Sequence, residues 1–393
     1  MLHMIFQKSS PFNVLILLFV LLSACRKDTP QQDVPFEAVE GVHYEIYEPS
    51  EKSNITEDLK IVSFNTASAS KSELQTLLGL LPAGTNVVCL QEVENPADVL
   101  AVFSSGKDHR NETGYHSFPY YCQARKNSTK AATYKKEYQM ILSKFPIVKH
   151  DLRHVNTDPH GDKWKRYGEY VRLKVNSNTS IDLFHYHNTN RADGADKSVH
   201  GMNNFRDWIR EDVLKVPPSY DPSTHPNLFI VGDLNLFTHG TQQVQLRNIL
   251  GNNLNYYGDF LDYVVSSQRK NSSGRVLSGS LSDHNIVWAS FDISTNRANA
   301  HKNVVRLYED SHFAGRVISF EKSSCVHIPY WHKVQGDDQY WNDRVSSIRV
   351  GSNVRLAIYP HSYHSGSVYH LPHLPGGKGF RNDVFSSLNV KAR

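Results

Sequence analysis

Short apolar runs of strand length recur between residues 59 and 293, and several of them stop at a residue able to bind a cation or move a proton. Leu228-Phe229-Ile230-Val231 reads as a buried strand, after which Gly232 is expected to let the backbone turn so that Asp233 and Asn235 emerge together. Leu281 to Phe291 presents Asp283 and His284 after Ser282, beside the apolar run that begins at Ile286. Upstream, LKIVSFN ends in Asn65, NVVCLQEV carries Glu92, IDLFHYHN carries His187 and FLDYVVSS carries Asp262. Alternate residues of a strand share a face, so His185 and His187 point the same way and the choice of His187 rests on register. Helix-period leucines over Ser72 to Leu81 and an amphipathic pattern over Asn203 to Leu214 predict helices between these strands.

The pattern changes at both ends. Residues 14 to 22 are continuously apolar, too short to span a bilayer and preceded by Lys8, which is the pattern of a cleaved secretory signal. The run ends in Leu22-Ser23-Ala24-Cys25, which resembles a bacterial lipobox and makes Cys25 the expected lipid anchor. From Arg26 to about Asp58 the chain is rich in polar residues and reads as a flexible tether or partly ordered lead-in. After the polar stretch Ser294 to Asn303, the segments are short, aromatic and punctuated by glycine, which predicts an all-β unit. With 393 residues, two folded domains are expected. The boundaries are a signal peptide over 1–24, the lipidated cysteine and tether over 25–57, a first domain over 58–293, a linker over 294–302 and a second domain over 303–393.

Composition adds a local feature to a nearly balanced chain. The net charge is only +4, yet between Cys122 and Val175 thirteen basic residues stand against five acidic ones, a local excess of eight. Tyrosines and Trp164 are interleaved there, so this stretch is a candidate cradle for a polyanion, with Lys163, Lys165 and Arg166 as the candidate contacts. A solvated charged face is the competing reading. Cys89, Cys122 and Cys325 remain in the mature body, without the close spacing of a disulfide framework or a zinc ligand pair.

Six polar-tipped segments in this order resemble the endonuclease/exonuclease/phosphatase superfamily from about Leu59 to Ile293. The resemblance implies a four-layer α/β/β/α sandwich, two packed mixed β-sheets flanked by helices, within an α+β chain. It implies that Glu92 is the principal Mg²⁺ (or Mn²⁺) ligand, with Asn65 and Asp283 completing an oxygen-rich shell. His284 is then the general base, oriented by Asp262, while Asp233 and Asn235 hold the water or a phosphate oxygen; Asp233 is the alternative base. His187 is expected to hydrogen-bond a phosphate oxygen or protonate the leaving group. Glu137, displaced by one residue in the simplest alignment, is a candidate to orient it. The family usually has Thr-His-Leu where this chain has Tyr186-His187-Asn188.

Residues 303–393 contain an internal repeat. Tyr308, Phe313 and Gly315 precede Asn342-Asp343-Arg344-Val345-Ser346-Ser347, and Tyr359 and Gly366 precede Asn382-Asp383-Val384-Phe385-Ser386-Ser387. This resembles a βγ-crystallin domain of two Greek-key motifs, although His364 stands where the second copy should have an aromatic. The resemblance implies Ca²⁺ loops with Asn342, Asp343 and Ser346, and Asn382, Asp383 and Ser386, as ligands. The expected protein is an exported, membrane-anchored, Mg²⁺-dependent phosphodiesterase of the bacterial cell envelope acting on nucleic acid. A sphingomyelinase or phospholipase, or a calcium-dependent binding lipoprotein without activity, are the alternatives. No protein partner is implied.

Overall fold

The computed structural model describes residues 43–47, 57–103, 118, 120–125, 137–155, 166–189, 195–216, 222–236, 240–310, 314–321, 324–327, 345–359, 364, 369–371 and 387–392. The lipobox with Cys25, Lys163 and Lys165 of the basic stretch, and Asn342, Asp343, Asn382, Asp383 and Ser386 lie outside them.

The apolar runs form the inner strands of two mixed six-stranded sheets, where they are buried on both faces, and the edge strands Ile147–His154, Asn255–Asp259 and Lys270–Val276 are more exposed. The first has the order β12 (Lys270–Val276), β13 (Ile286–Thr295), β2 (Glu57–Asn65), β3 (Val87–Val93), β5 (Tyr138–Ser143) and β4 (Tyr120–Arg125). The second has the order β10 (Asn255–Asp259), β11 (Asp262–Ser266), β9 (Leu228–Asp233), β8 (Ser180–Tyr186), β7 (Tyr167–Lys174) and β6 (Ile147–His154). β2 with β3 and β8 with β9 are parallel pairs, and the remaining neighbours are antiparallel.

Alternation within each strand separates three apolar layers. Ile61, Val87, Ile141, Val171, Leu183, Val231 and Val264 fill the space between the sheets. Val62, Phe64, Val88 and Leu90 face outward onto α1 (Lys71–Leu80) and α2 (Pro96–Phe103). Phe184, Ile230 and Val265 pack against α3 (Ala195–Asp207) and its π-helical continuation Trp208–Leu214, and against α4 (Gly240–Leu250). The predicted sandwich is therefore present. The predicted helix over 72–81 starts one residue early, where Ser70 and Glu73 form a reciprocal capping box. The predicted helix over 203–214 is the end of α3 and the π turn, so the amphipathic pattern captured only its second half.

The stretch expected as an unpatterned linker contains a helix. β13 runs to Thr295, and α5 (Arg297–Lys302) follows with Asn296 as its N-cap. Two four-stranded sheets follow. One has the order β1 (His43–Tyr47), β17 (Ser347–Gly351), β14 (Val304–Asp310), β15 (Ala314–Glu321). The other has the order β16 (Cys325–His327), β20 (Ser387–Ala392), β18 (Val354–Tyr359), β19 (Tyr369–Leu371). β1 pairs in parallel with β17, so part of the expected tether is a strand of a carboxy-terminal sheet. Tyr308 and Val317 join the layer between the two large sheets. Arg306 Nη1 donates to Tyr120 Oη at 2.9 Å, and Lys174 Nζ lies 3.4 Å from a Glu321 carboxylate oxygen.

Gly232 does not make a turn. β9 continues through it to Asp233, paired with Tyr263 of β11, and its φ is +142°. A Cβ there would lie 2.0 Å from the Tyr186 carbonyl oxygen, so glycine is required by the close approach of β8. Gly232→Ala is expected to cost at least about 3 kcal/mol of stability, read from denaturant unfolding, or to prevent folding. A wild-type unfolding midpoint would contradict this assignment.

Candidate active site

The polar tips of the strands meet at one end of the sandwich, where the two sheets contribute opposite walls. Asn65, at the end of β2, is 1% exposed and its Nδ2 donates to Glu92 Oε1 and to Asp233 Oδ2, each at 3.2 Å. One amide thus joins a carboxylate of the first sheet to a carboxylate of the second. Its Oδ1 accepts from Ala67 N at 3.0 Å, which holds the side chain in place.

Glu92 reaches this position through an irregularity. The pairing of β3 with β5 shifts between Leu90 and Val93, and Glu92 has φ +52°. A non-glycine residue there is strained and persists only when its surroundings fix it. The segment after β2 does so: Thr66 Oγ1 and Ser68 N donate to the Glu92 carbonyl at 2.9 and 3.0 Å.

On the second sheet, Asp262 lies directly opposite Asp233 in the β11/β9 register. Asp262 Oδ2 is 2.6 Å from His284 Nδ1, and His284 Nε2 lies 3.8 Å from Asp233 Oδ2. Burial and the Asp262 charge lift the Asp233 carboxyl to about 7. Burial also raises Asp262, against the effect of its hydrogen bond to His284. Burial opposes charge on His284, but the hydrogen bond and charge of Asp262 outweigh it and hold the ring at about 9. Ser282 Oγ donates to Asn65 O at 2.8 Å and accepts from His284 N at 3.1 Å, tying the histidine loop to the tip of β2.

His187 follows β8 and faces the same space. Its Nε2 lies 3.4 Å from Asp233 Oδ2 and 3.6 Å from Glu92 Oε1, while its backbone N–H donates to Gln139 Oε1 at 3.0 Å. Arg166 Nη1 is 2.8 Å from His187 Nδ1. An arginine keeps its protons, so Nδ1 accepts and the ring proton resides on Nε2, aimed at the two carboxylates. His185 is completely buried between the sheets, with Nε2 2.6 Å from Gln91 Nε2 and Nδ1 3.3 Å from Glu169 Oε2.

Of the sequence candidates, Asn65, Glu92, His187, Asp233, Asp262 and His284 are brought together. Asp283 stands at the rim with its side chain 84% exposed and Oδ1 3.9 Å from His284 Nε2. Asn235 is adjacent, with φ +50°, and its Nδ2 donates to Asn188 O at 3.0 Å, so the amide secures the loop after β8. Arg166 is not a surface contact of a charge run: it is 7% exposed and orients His187, the part that Glu137 was a candidate to play.

Sequence reasoning missed Thr66, Gln139, Asn188 and Ser282. Asn188 Nδ2 donates to Ser198 O and Leu234 O, both at 2.9 Å, which explains a polar residue where an apolar one was expected. Ser282 and Thr66 stand beside chemistry-bearing residues and could have been flagged by position. Gln139 and Arg166 carry no such signal, because their roles come from tertiary contact alone. Of the proposed calcium-loop residues, Ser346 is described: it precedes β17, and its backbone N–H donates to Tyr308 O at 2.9 Å.

The chain matches the model of the Endonuclease/Exonuclease/phosphatase family over residues 62–284, and that of Peptidase inhibitor family I36 over residues 294–371. It resembles the crystal structure of sphingomyelinase C from Streptomyces griseocarneus at 18% identity and TM-score 0.41, covering 60% of this chain and 100% of that one. It resembles the human Nocturnin catalytic domain with bound sulfate at 14% identity and TM-score 0.44, covering 62% and 96%. It resembles an endonuclease/exonuclease/phosphatase from Beutenbergia cavernae at 13% identity and TM-score 0.45, covering 86% and 100%. A search of curated proteins finds no match. With more than half of its length accounted for by the first model, the chain belongs to the Endonuclease/Exonuclease/phosphatase family and is a phosphoric ester hydrolase.

Proposed function

We propose that the protein is an exported, lipid-anchored phosphodiesterase that requires Mg²⁺ or Mn²⁺ and hydrolyses nucleic acid. The observation that carries this reading is the convergence of Glu92, Asn65 and Asp233 with two oriented histidines at the joint of the sheets.

The residues fit a hard divalent cation. Two carboxylates face the single Asn65 amide, and the Glu92 side chain keeps 29% exposure, enough for a partly hydrated ion. Burial and the neighbouring Asp262 charge lift Asp233, and a cation would offset both. Glu92 would hold the ion, with Asp283 reaching in from the rim; Asn65 would join them through Oδ1 once its amide turned over, since its Nδ2 faces the two carboxylates here. The bound ion would neutralise charge developing on the phosphate.

The chain's own groups supply the rest. Asp262 holds His284 through Nδ1 and leaves Nε2 facing Asp233; with the ring kept protonated, an attacking water beside them would give its proton to the Asp233 carboxylate. His187, with its proton on Nε2, donates to a phosphate oxygen. Arg166 keeps that tautomer in place.

For the substrate, the support is the local basic excess with interleaved tyrosines in the sequence. Several described members of that stretch are committed elsewhere: Arg172 pairs with Asp182, Arg153 with Asp212 and Lys174 with Glu321. Arg166 is held by His187, which leaves Lys163 and Lys165 as the proposed polyanion contacts. The anchor rests on the lipobox at Cys25. A two-motif Greek-key reading of the carboxy-terminal unit is supported by its pairing. β14 and β15 are joined by β17, β18 and β19 are joined by β20, and β16 crosses to the second group. We assign Ca²⁺ binding to its two Asn-Asp-X-X-Ser-Ser loops.

Glu92→Gln is expected to abolish most metal-dependent turnover while leaving the fold unchanged by circular dichroism. His284→Ala and His187→Ala should each lower turnover by roughly 10²- to 10⁴-fold. A panel of DNA, RNA, sphingomyelin and small phosphodiesters decides the substrate. Preferential hydrolysis of sphingomyelin would replace the nuclease reading with a sphingomyelinase.

A second outcome follows from the sign of the Asp233 shift. Its folded value, about 7, lies above the ordinary 3.8, so without a cation the folded state binds the extra proton and loses stability as pH rises through that window. In chelator, Asp233→Asn should melt above wild type at about pH 8, and the gap should close near pH 4. An equal gap at both values would show that Asp233 is not the group responsible.

Calcium should raise the melting temperature of the full chain relative to chelator, with Asp343→Ala plus Asp383→Ala removing the difference. No calcium effect would reduce both loops to structural turns. Cys25→Ser should release active protein from the membrane fraction. Retention there would contradict lipidation.

A further inference from the structure

Beneath the active site, the space between the sheets contains a polar cluster that the reaction does not use. Cys122 of β4, His150 of β6 and Glu169 of β7 are buried at 0, 7 and 0% exposure within the apolar layer. Their ligand atoms, one from each residue, all lie within 4.8 Å of one another. β4 is the edge strand of one sheet and β6 the edge strand of the other, so the cluster joins the two edges.

Its polar atoms are incompletely satisfied. Both ring nitrogens of His150 and Oε1 of Glu169 have no hydrogen-bond partner, although His150 Nε2 and Glu169 Oε1 are 3.3 Å apart. Burial of unpartnered polar atoms is unfavourable, and several converging on one point call for a bound water or ion between them. The other carboxylate oxygen is held from behind. Gln91 Nε2 lies 2.6 Å from His185 Nε2, which makes that nitrogen the acceptor and leaves Nδ1–H to donate to Glu169 Oε2 at 3.3 Å. An imidazole supporting a ligating carboxylate in this way is the arrangement that orients metal ligands.

We propose that Cys122 Sγ, His150 Nε2 and Glu169 Oε1 bind one Zn²⁺ ion, with a solvent molecule as the fourth ligand, and that this ion ties the two sheet edges together. A sulfur, an imidazole nitrogen and a carboxylate oxygen suit zinc and do not suit magnesium or calcium. Tetrahedral zinc with bonds of about 2.0–2.3 Å places its ligands about 3.3–3.8 Å apart. The His150 to Glu169 separation already meets this, and Cys122 needs only a small closure. A thiolate and a carboxylate cancel the charge of the ion, so the loaded site is neutral in an apolar interior. Burial and the Glu169 charge push the free thiol well up, so binding proceeds as Cys–SH plus Zn²⁺ giving the zinc thiolate and one released proton. In the metal-free chain, burial would raise Glu169, but its contacts with His150 and His185 reverse that and hold it at about 2.

The test uses the full chain, stripped with chelator and titrated with Zn²⁺ in excess Mg²⁺. The expected result is one zinc per chain, an enthalpy that varies with buffer as one proton is released, and a higher melting temperature. Co²⁺ in place of zinc should give a near-ultraviolet thiolate charge-transfer band. That band separates this site from the catalytic one, which contains no cysteine among the described residues. Glu92→Gln should retain both the zinc and the band even though turnover is lost, so the two assignments can fail separately. Cys122→Ser should lose the band and the zinc, and His185→Gln should weaken zinc binding by about 10- to 100-fold. If Cys122→Ser does not fold, the wild-type cobalt spectrum decides alone. Absence of zinc binding to the folded chain, binding without the thiolate band, or a folded Cys122→Ser that still holds zinc would each overturn the proposal.

Discussion

The Asn65 amide is the constraint on which the site depends. It donates to Glu92 from one sheet and to Asp233 from the other, so one buried side chain ties together the two walls that the packed sheets hold in place. Loops could not hold them so closely, since the sheets beneath are packed by aliphatic side chains such as Ile61, Val87, Leu183 and Val231 with no exposure. Rigid strands therefore place the chemistry, and the segments after β2 and β8 lock it with Thr66, Ser68 and Asn188.

Three local costs are borne at this end of the sandwich. Glu92 and Asn235 hold left-handed backbone, and Asp233 and Asp262 bring two carboxylates into one buried row. Each is unfavourable alone; Glu92, Asp233 and Asp262 aim their carboxylates at the same space, and Asn235 secures the loop after β8. The His284–Asp262 hydrogen bond offsets part of the carboxylate crowding, and a cation beside Glu92 would offset more.

Much of the site was legible because the strands are buried on both faces. A run such as Leu228 to Val231 must end where the sheet meets solvent, and the polar residue at that end has a fixed place. The same reasoning failed wherever position came from a tertiary approach. Gly232 read as a turn because nothing in the sequence shows that the Tyr186 carbonyl lies against it. Arg166 read as one of many surface cations, although it is buried against His187. Cys122, His150 and Glu169 are scattered over 48 positions and meet only when two sheet edges stack. The strand at His43–Tyr47 carries a short alternation, Tyr44 and Ile46 alternating with His43 and Glu45, but it is too brief to stand out in a polar lead, and its partner β17 is distant in the chain. His187 over His185 rested on register, and the buried contacts of His185 with Gln91 and Glu169 give the physical reason.

The central claim is that the two sheets converge to form one cation-binding catalytic end around Glu92 and Asn65. A crystal grown with Mn²⁺ and measured at the manganese absorption edge tests this most directly. One anomalous peak within coordination distance of the Glu92 carboxylate is the expected result. A manganese peak elsewhere, or none beside a well-ordered Glu92, would contradict the account.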